Sequence, residues 1–293
     1  MVLNIILAAI CILIVFFVWV AIFDTNRFEI SRYSYEDNRI KKAFKAVVLS
    51  DLHNKVYGKD NESLIKAIGE EKPDMILIAG DMVNGHPNEK LDSAINLLKK
   101  LSEKYPIYYG NGNHEMRMNI YKEDYGDKYD EYVNLLKAMG VHHLVNSSEY
   151  LDEYGINIIG SEISKEHYKR FGITPMDEGE LERDLGVLNK DAYNILIAHN
   201  PDYFDAYVSY NPSLVLSGHV HGGIVRIPFI NKGVLSPNVR FFPKYYGGEY
   251  EKNGTTMLVS RGLGAHTIPF RLFNPGDLVT ISFSPCGSDL KKI

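Results

Sequence analysis

Cysteine is scarce in this chain of 293 residues, with only Cys11 and Cys286 present. They cannot build a disulfide framework, because Cys11 lies inside an apolar N-terminal run and leaves Cys286 without a partner. No internal repeat or low-complexity tract interrupts the chain. A basic excess is missing too: the net charge is −5. An acidic globular part argues against a nucleic-acid surface, where a basic face is expected.

The N-terminus is where hydrophobicity concentrates. Val2 to Phe23 has no charge and one strongly polar residue, Asn4. About 20 such residues suffice for a helix to cross a bilayer, so residues 1–23 read as a transmembrane anchor. A cleaved signal peptide fits less well, since the run is too long and lacks both a basic flank and a small-x-small cleavage site. Residues 24–45 read as a juxtamembrane linker. They carry Arg27, Arg32, Arg39, Lys41, Lys42 and Lys45 against Asp24, Glu29, Glu36 and Asp37, a local excess of two positives. By the positive-inside rule, that excess places the following domain on the cytoplasmic face. With 45% apolar content, residues 46–284 are enough for one domain with an ordinary core. Residues 285–293 form a C-terminal tail.

Short apolar runs alternate with helical patterns, which predicts an α/β fold. Strands are expected at Val47 to Leu49, Met75 to Ala79, Ile107 to Tyr109, Ile156 to Gly160, Ile195 to Ala198, Leu214 to Leu216, Met257 to Ser260 and Leu278 to Phe283. Helices are expected at Ser63 to Ile68, Leu91 to Leu101 and Tyr132 to Met139. Two segments, Met116 to Tyr132 and Ser161 to Asp184, fit the sheet pattern poorly and read either as surface excursions or as a lid.

Five of the strands end on residues able to bind a metal: Asp51 and His53, then Asp81, Asn113, His199, and finally His219 and His221. Ligands of α/β sheets collect beyond the carboxyl ends of the strands, where these residues fall. Asp51, His53, Asp81 and His221 are expected to hold one cation. Asp81, Asn113, His199 and His219 are expected to hold a second, with Asp81 bridging. Imidazole and carboxylate without thiolate suit Mn, Fe or Zn and disfavour an all-oxygen Mg or Ca site. Two such divalent ions generate a bridging hydroxide at neutral pH and clamp a phosphoryl group, which is the chemistry of phosphate-ester hydrolysis. His114, next to Asn113, is placed to face the leaving-group oxygen as the catalytic residue. Glu115 reads as a structural hydrogen-bonding group.

A lone histidine at a strand end is ordinarily a structural residue, and Asp beside Gly is common in turns. Here, half of the ten histidines fall in the motifs. That concurrence is what favours a site. The other five, His86, His142, His143, His167 and His266, read as structural, although His266 lies in a Gly-rich turn able to approach the site.

The blocks Ser-Asp-Leu-His (50–53), Gly-Asp (80–81), Gly-Asn-His-Glu (112–115), Ala-His-Asn-Pro-Asp (198–202) and Gly-His-Val-His-Gly-Gly (218–223) resemble the signature of the calcineurin-like metallophosphoesterases. The resemblance covers about Ala46 to Phe283. It implies a four-layer αββα sandwich, with the seven ligands on matching positions. Arg226 to Phe229, Phe242 to Tyr245 and Ser260 to Gly264 further resemble a bacterial membrane-anchored subgroup. Some of its relatives are linked to hydrolysis of the pyrophosphate in UDP-2,3-diacylglucosamine, a precursor in lipid A biosynthesis. Ile224 departs from the subgroup pattern, which usually carries Gln there.

The expected function is therefore a membrane-anchored, two-metal phosphoesterase or pyrophosphatase, with Arg226, Arg240, Lys244 and Arg261 as candidate phosphate contacts. A nucleotide phosphodiesterase or nuclease is the second enzymatic reading. A membrane-tethered scaffold without activity is the third, and degenerate ligands would mark it.

Overall fold

The structure, a computed structural model, describes residues 1–169, 172–230, 232–237, 240–265 and 268–287. His266 and residues 288–293 of the expected tail lie outside this set.

The N-terminal helix α1 (Val2–Thr25) has only Val20 and Asp24 buried. At 1.5 Å per residue it is about 36 Å long, sufficient for a hydrocarbon core of about 30 Å. The chain then forms β1 (Phe28–Glu36), β2 (Phe44–Leu49), α2 (Glu62–Glu71), β3 (Met75–Ala79), α3 (Asp92–Ser102) and β4 (Ile107–Gly110). Helices α4 (Asn113–Ile120), α5 (Lys122–Tyr125) and α6 (Lys128–Ala138) follow, then β5 (His142–Leu144), β6 (Ser147–Leu151) and β7 (Ile156–Ser161). The remainder comprises α7 (Glu180–Leu185), β8 (Tyr193–Ala198), α8 (Phe204–Tyr210), β9 (Leu214–Ser217), the short pair β10 (Arg226–Ile227) and β11 (Lys232–Gly233), β12 (Gly248–Lys252), β13 (Thr255–Val259) and β14 (Gly276–Ser284).

Two six-stranded sheets result, ordered β1-β14-β2-β3-β4-β5 and β12-β13-β9-β8-β7-β6. Each has a parallel centre, β2 to β5 in the first and β7, β8, β9 and β13 in the second. Side chains alternate across a strand, so a strand buried on both faces must be apolar throughout. In β3, Leu77 and Ala79 point between the sheets, where they meet Ile195, Ile197 and Leu216. Ile76 and Ile78 point outward to Leu64 and Ile68 of α2 and Leu97 and Leu101 of α3. On the far side, Leu196, Ala198 and Val215 pack under Phe204 and Tyr207 of α8. Helices, sheet, sheet and helices give the four-layer sandwich.

Two expectations need correction. Residues 24–45, read as a linker, contain β1, which pairs in parallel with β14 over its full length. Its half-buried positions include Phe28 and Ile30, packed against one core, and Tyr33 and Tyr35, packed against the other, so no single two-residue alternation runs through it. Met116 to Tyr132 is no irregular excursion but largely helix, belonging to α4, α5 and α6.

Candidate metal centre

The carboxyl ends of β2, β3, β4, β8 and β9 converge, and the loops leaving them bring the expected ligands together. Three trios have their ligating atoms within 4.8 Å of one another: Asp51, His53 and His221; Asp81, His199 and His219; and His53, Asp81 and His114. The first two sit in the two half-sites expected from sequence. His221 Nε2 lies 3.2 Å from Asp51 Oδ1 and His53 Nε2 3.8 Å from Asp81 Oδ2, so the half-sites adjoin. Asn113 is buried, and its Oδ1 has no hydrogen-bond partner among the described residues.

Local backbone geometry makes this convergence possible. Asp51, His53, Asp81, His219 and His221 have φ of 49°, 47°, 54°, 70° and 53°. Left-handed backbone is uncommon outside glycine and clusters at functional sites, where surrounding contacts enforce it. Here, each sharp turn redirects a strand-end side chain into the shared cavity. Close approach also demands glycine. A Cβ on Gly112 would stand 2.2 Å from Asp81 Oδ1, and one on Gly218 would stand 2.2 Å from Asp51 Oδ2. Gly112→Ala therefore has to displace Asp81. Titration of the variant with Mn is expected to show metal affinity reduced by about 10- to 100-fold, as when supporting groups around a metal site are disturbed. Unchanged affinity would mean that Asp81 does not need this position.

Hydrogen bonds orient each group. His219 N–H donates to both Asp51 oxygens at 3.0 and 3.1 Å, and the Ser50 hydroxyl also donates to Asp51. Asp81 Oδ1 accepts from the His114 N–H at 2.8 Å, satisfying a free donor in the first turn of α4. Its Oδ2 is left facing the cavity. His199 Nδ1 donates to the Ala79 carbonyl at 2.6 Å and His221 Nδ1 to the Gly264 carbonyl at 3.2 Å. Bonds of this type set the tautomer and leave the Nε2 lone pairs for a cation. His199 Nε2 and Asp81 Oδ2 are 3.0 Å apart yet form no aligned hydrogen bond. A buried carboxylate oxygen and a buried imidazole nitrogen aimed at one space fit a metal ion, which would take the place of the imidazole proton.

Electrostatics agrees with that fit. Burial opposes charge on Asp51, but His221 and His199 outweigh it and hold the carboxyl well below its ordinary range. Asp81 is likewise held low, with His199 and His114 overcoming burial. Burial alone would lower His199, yet Asp81 and Asp51 raise it to about 10. His219 goes the other way, lowered to about 3 by burial and then by His199. Buried carboxylates thus draw positive charge into the cavity, a demand that divalent cations meet.

His114 is different. Its Nδ1 accepts from the Gly85 N–H at 2.8 Å, so the ring proton resides on Nε2. That nitrogen is on the side of Asp81 Oδ2, 3.9 Å away, and burial lowers the ring's pKa to about 4. The side chain is a neutral donor pointed into the centre. Glu115 belongs to none of the three trios. Its carboxylate accepts N–H groups of Asp81, Met82 and Gly112, each at 2.9 Å, and the Tyr109 hydroxyl at 2.7 Å. Burial, then Asp81, pushes its pKa up to about 7.

The four cations expected at the phosphate separate. Arg240 and Lys244 line a cavity of about 200 Å³ together with Asp202, His219, Phe241 and Phe242, and the Arg240 guanidinium pairs with Asp202 at 2.5 Å. Arg261 pairs with Asp277 at 3.0 Å and Glu29 at 3.7 Å outside that lining, and Arg226 is half-buried on β10, also outside it. A larger cleft of about 1020 Å³ beside α7 and α8 contains none of the ligands. Of the histidines read as structural, His142 pairs with Glu149, His143 with Asn111 and His167 with Glu180. The Ile224 side chain is buried.

Two residues escaped sequence reasoning. Tyr168 packs edge-on against His219, with ring centres 5.4 Å apart. Arg271, fully buried, donates to the carbonyls of Arg261, Gly262 and Gly264 and so holds the loop beside His221. Neither lies in a motif with recognisable spacing, and only the fold brings them near the centre.

Comparison with known proteins follows the same residues. The family profile described as calcineurin-like phosphoesterase matches residues 44–223. A Bacillus subtilis protein described as the uncharacterized metallophosphoesterase YkuE is 31% identical over 233 residues, covering 78% of this chain and 74% of that protein. An uncharacterized metallophosphoesterase of Helicobacter pylori is 28% identical over 85% of this chain and 62% of its own length. A Danio rerio transmembrane protein with a metallophosphoesterase domain is 26% identical over 81% of this chain and 52% of that protein. Among solved structures, the Thermus thermophilus sulfate thiohydrolase SoxB aligns with TM-score 0.43 and 12% identity over 82% of this chain and 56% of that one. On the profile match and the Bacillus relative, this chain belongs to the calcineurin-like phosphoesterases, a family of phosphoester hydrolases.

Proposed function

We propose that the protein is a membrane-anchored phosphoesterase or pyrophosphatase that works with two divalent cations, Mn, Fe or Zn, on a lipid-linked phosphate such as UDP-2,3-diacylglucosamine. The observation that carries this reading is the pair of adjoining trios, Asp51/His53/His221 and Asp81/His199/His219, with Asp81 beside both. In the proposal, the first trio with Asp81 holds one ion, and Asp81, Asn113, His199 and His219 hold the other. Bound there, the ions supply Lewis acidity to the phosphoryl group and lower the pKa of water toward neutrality.

The chain's own groups do the rest. His114 presents its Nε2 proton to the leaving oxygen and stabilises the charge that develops there, a contribution of about a hundredfold or more. Lys244, with Arg240 from its pair with Asp202, attracts the phosphate into the cavity beside His219. Supporting the anchor are the length and apolarity of α1. The basic excess of residues 24–45 supports a cytoplasmic domain.

Asp24 and Thr25 bond to Asn274 and Arg271, so the test uses the full chain in detergent. With Mn it is expected to hydrolyse p-nitrophenyl phosphate or its bis ester, and chelation should abolish turnover. A screen of lipid pyrophosphates against cyclic and linear nucleotides then ranks the substrates. Metal-loaded protein inert toward every phosphate ester would favour the scaffold.

A further inference from the structure

After α1, five of the eleven large apolar side chains exposed among the described residues fall on adjoining segments. Phe229 is fully exposed, and Ile230, Phe241, Phe242 and Phe270 are exposed beside it in the fold. Backbone hydrogen bonds lay their segments side by side. Arg226 N–H donates to the Leu272 carbonyl at 3.0 Å, Val234 N–H to Val225 at 2.8 Å and Phe242 N–H to Val234 at 2.8 Å. The result is a small platform with protruding aromatic residues. A cluster of this kind marks an interaction surface, whereas scattered exposed side chains do not.

The same platform is fastened to the end of α1. Arg271 N–H donates to Thr25 Oγ1 at 2.9 Å and Asn274 N–H to Asp24 Oδ2 at 3.2 Å. Phe273 meets Phe17 edge-on, with ring centres 6.2 Å apart. Phe17 precedes Asp24 by seven positions, about 10 Å farther along the helix axis. If Asp24 and Arg27 lie among the headgroups, Phe17 lies about 10 Å deeper, and Phe273 lies beside it.

We propose that this platform is a second membrane contact, with Phe229, Ile230, Phe241, Phe242 and Phe270 immersed in the bilayer that α1 spans. The proposal rests on the reading of α1 as a membrane span. Its occupant is lipid because the platform is continuous with α1 and also carries Lys232, whose ammonium lies 5.3 Å from the Phe242 ring centre. Aromatic rings at the interface with basic groups nearby suit a bilayer surface containing anionic lipid. Phe241 and Phe242 also line the cavity that reaches His219. The cavity therefore opens at the lipid surface, where an amphiphilic phosphate can present its head to the metals while its tails stay in the bilayer.

Spin labels on the full chain in phosphatidylcholine–phosphatidylglycerol nanodiscs test this. Cys11 reports the anchor, in a Cys286→Ser background. With Cys11→Ser also introduced, Phe229→Cys and Phe241→Cys report the platform and the exposed Val187→Cys serves as the aqueous control. Relative to Val187→Cys, labels on both platform variants are expected to collide more with oxygen and less with a water-soluble nickel chelate, shifting toward the Cys11 value. If Cys11 is in lipid and either platform label matches Val187→Cys, the second contact is overturned and the anchor stands. If Cys11 itself matches the control, both fall. Ile230→Cys supplies another label in the same turn if Phe229→Cys is poorly produced.

Discussion

Asp81→Asn is expected to leave the fold intact and to reduce turnover of p-nitrophenyl phosphate below about 0.1% of wild type, equivalent to a loss of about 4 kcal/mol in transition-state stabilisation. The amide retains an oxygen to accept the His114 N–H, which the carboxylate accepts at 2.8 Å. It loses the charge that faces His199 Nε2 at 3.0 Å and His53 Nε2 at 3.8 Å. Structure and chemistry are therefore separated within one side chain. Metal content after dialysis should fall in parallel, measured by elemental analysis. An Asp81→Asn protein that binds two equivalents of Mn and turns over normally would remove Asp81 from the centre.

Glu115→Gln is expected to act on stability, lowering it by up to about 3 kcal/mol, the upper end of the cost of leaving a buried donor or acceptor unsatisfied. The carboxylate is completely buried and accepts from backbone N–H groups on both the Gly80 and the Gly112 loops. Replacing one oxygen by NH₂ sets a donor against those donors. In a domain of this size, that upper value corresponds to a melting temperature lower by roughly 6 to 12 °C, read by calorimetry on the full chain in detergent. Because the two loops carry Asp81 and Asn113, metal affinity should weaken as well. A variant with unchanged melting temperature would show that the loops hold their shape without this carboxyl group.

Much of the architecture was legible because it follows from periodicity. Met75 to Ala79 has the observed bounds of β3, and the helix read at Leu91 to Leu101 is α3 shifted by one residue. Strands buried on both faces must be continuously apolar, and helices over a sheet must show an apolar stripe. β1 was missed because the half-buried positions of this edge strand are interspersed with exposed charged ones that resemble a linker. The ion pairs of Arg261 were not legible, because a sequence shows charge without its partner. Asp277 and Glu29, which engage it, are remote in the chain.

The sequence by itself determined the type of protein: an apolar N-terminal helix, an α/β domain, and carboxylate, amide and imidazole groups at the ends of strands. Those properties reside in local composition and spacing. Only the tertiary structure decided which groups share a cavity, because distance between β2 and β9 is set by the packing of two sheets. It also decided that His114 carries its proton on Nε2, that Glu115 clamps loops, and that segments with exposed aromatics adjoin one another and are joined to α1 through Arg271, Phe273 and Asn274. Each of these depends on contacts between residues far apart in the chain, whose geometry no local pattern encodes.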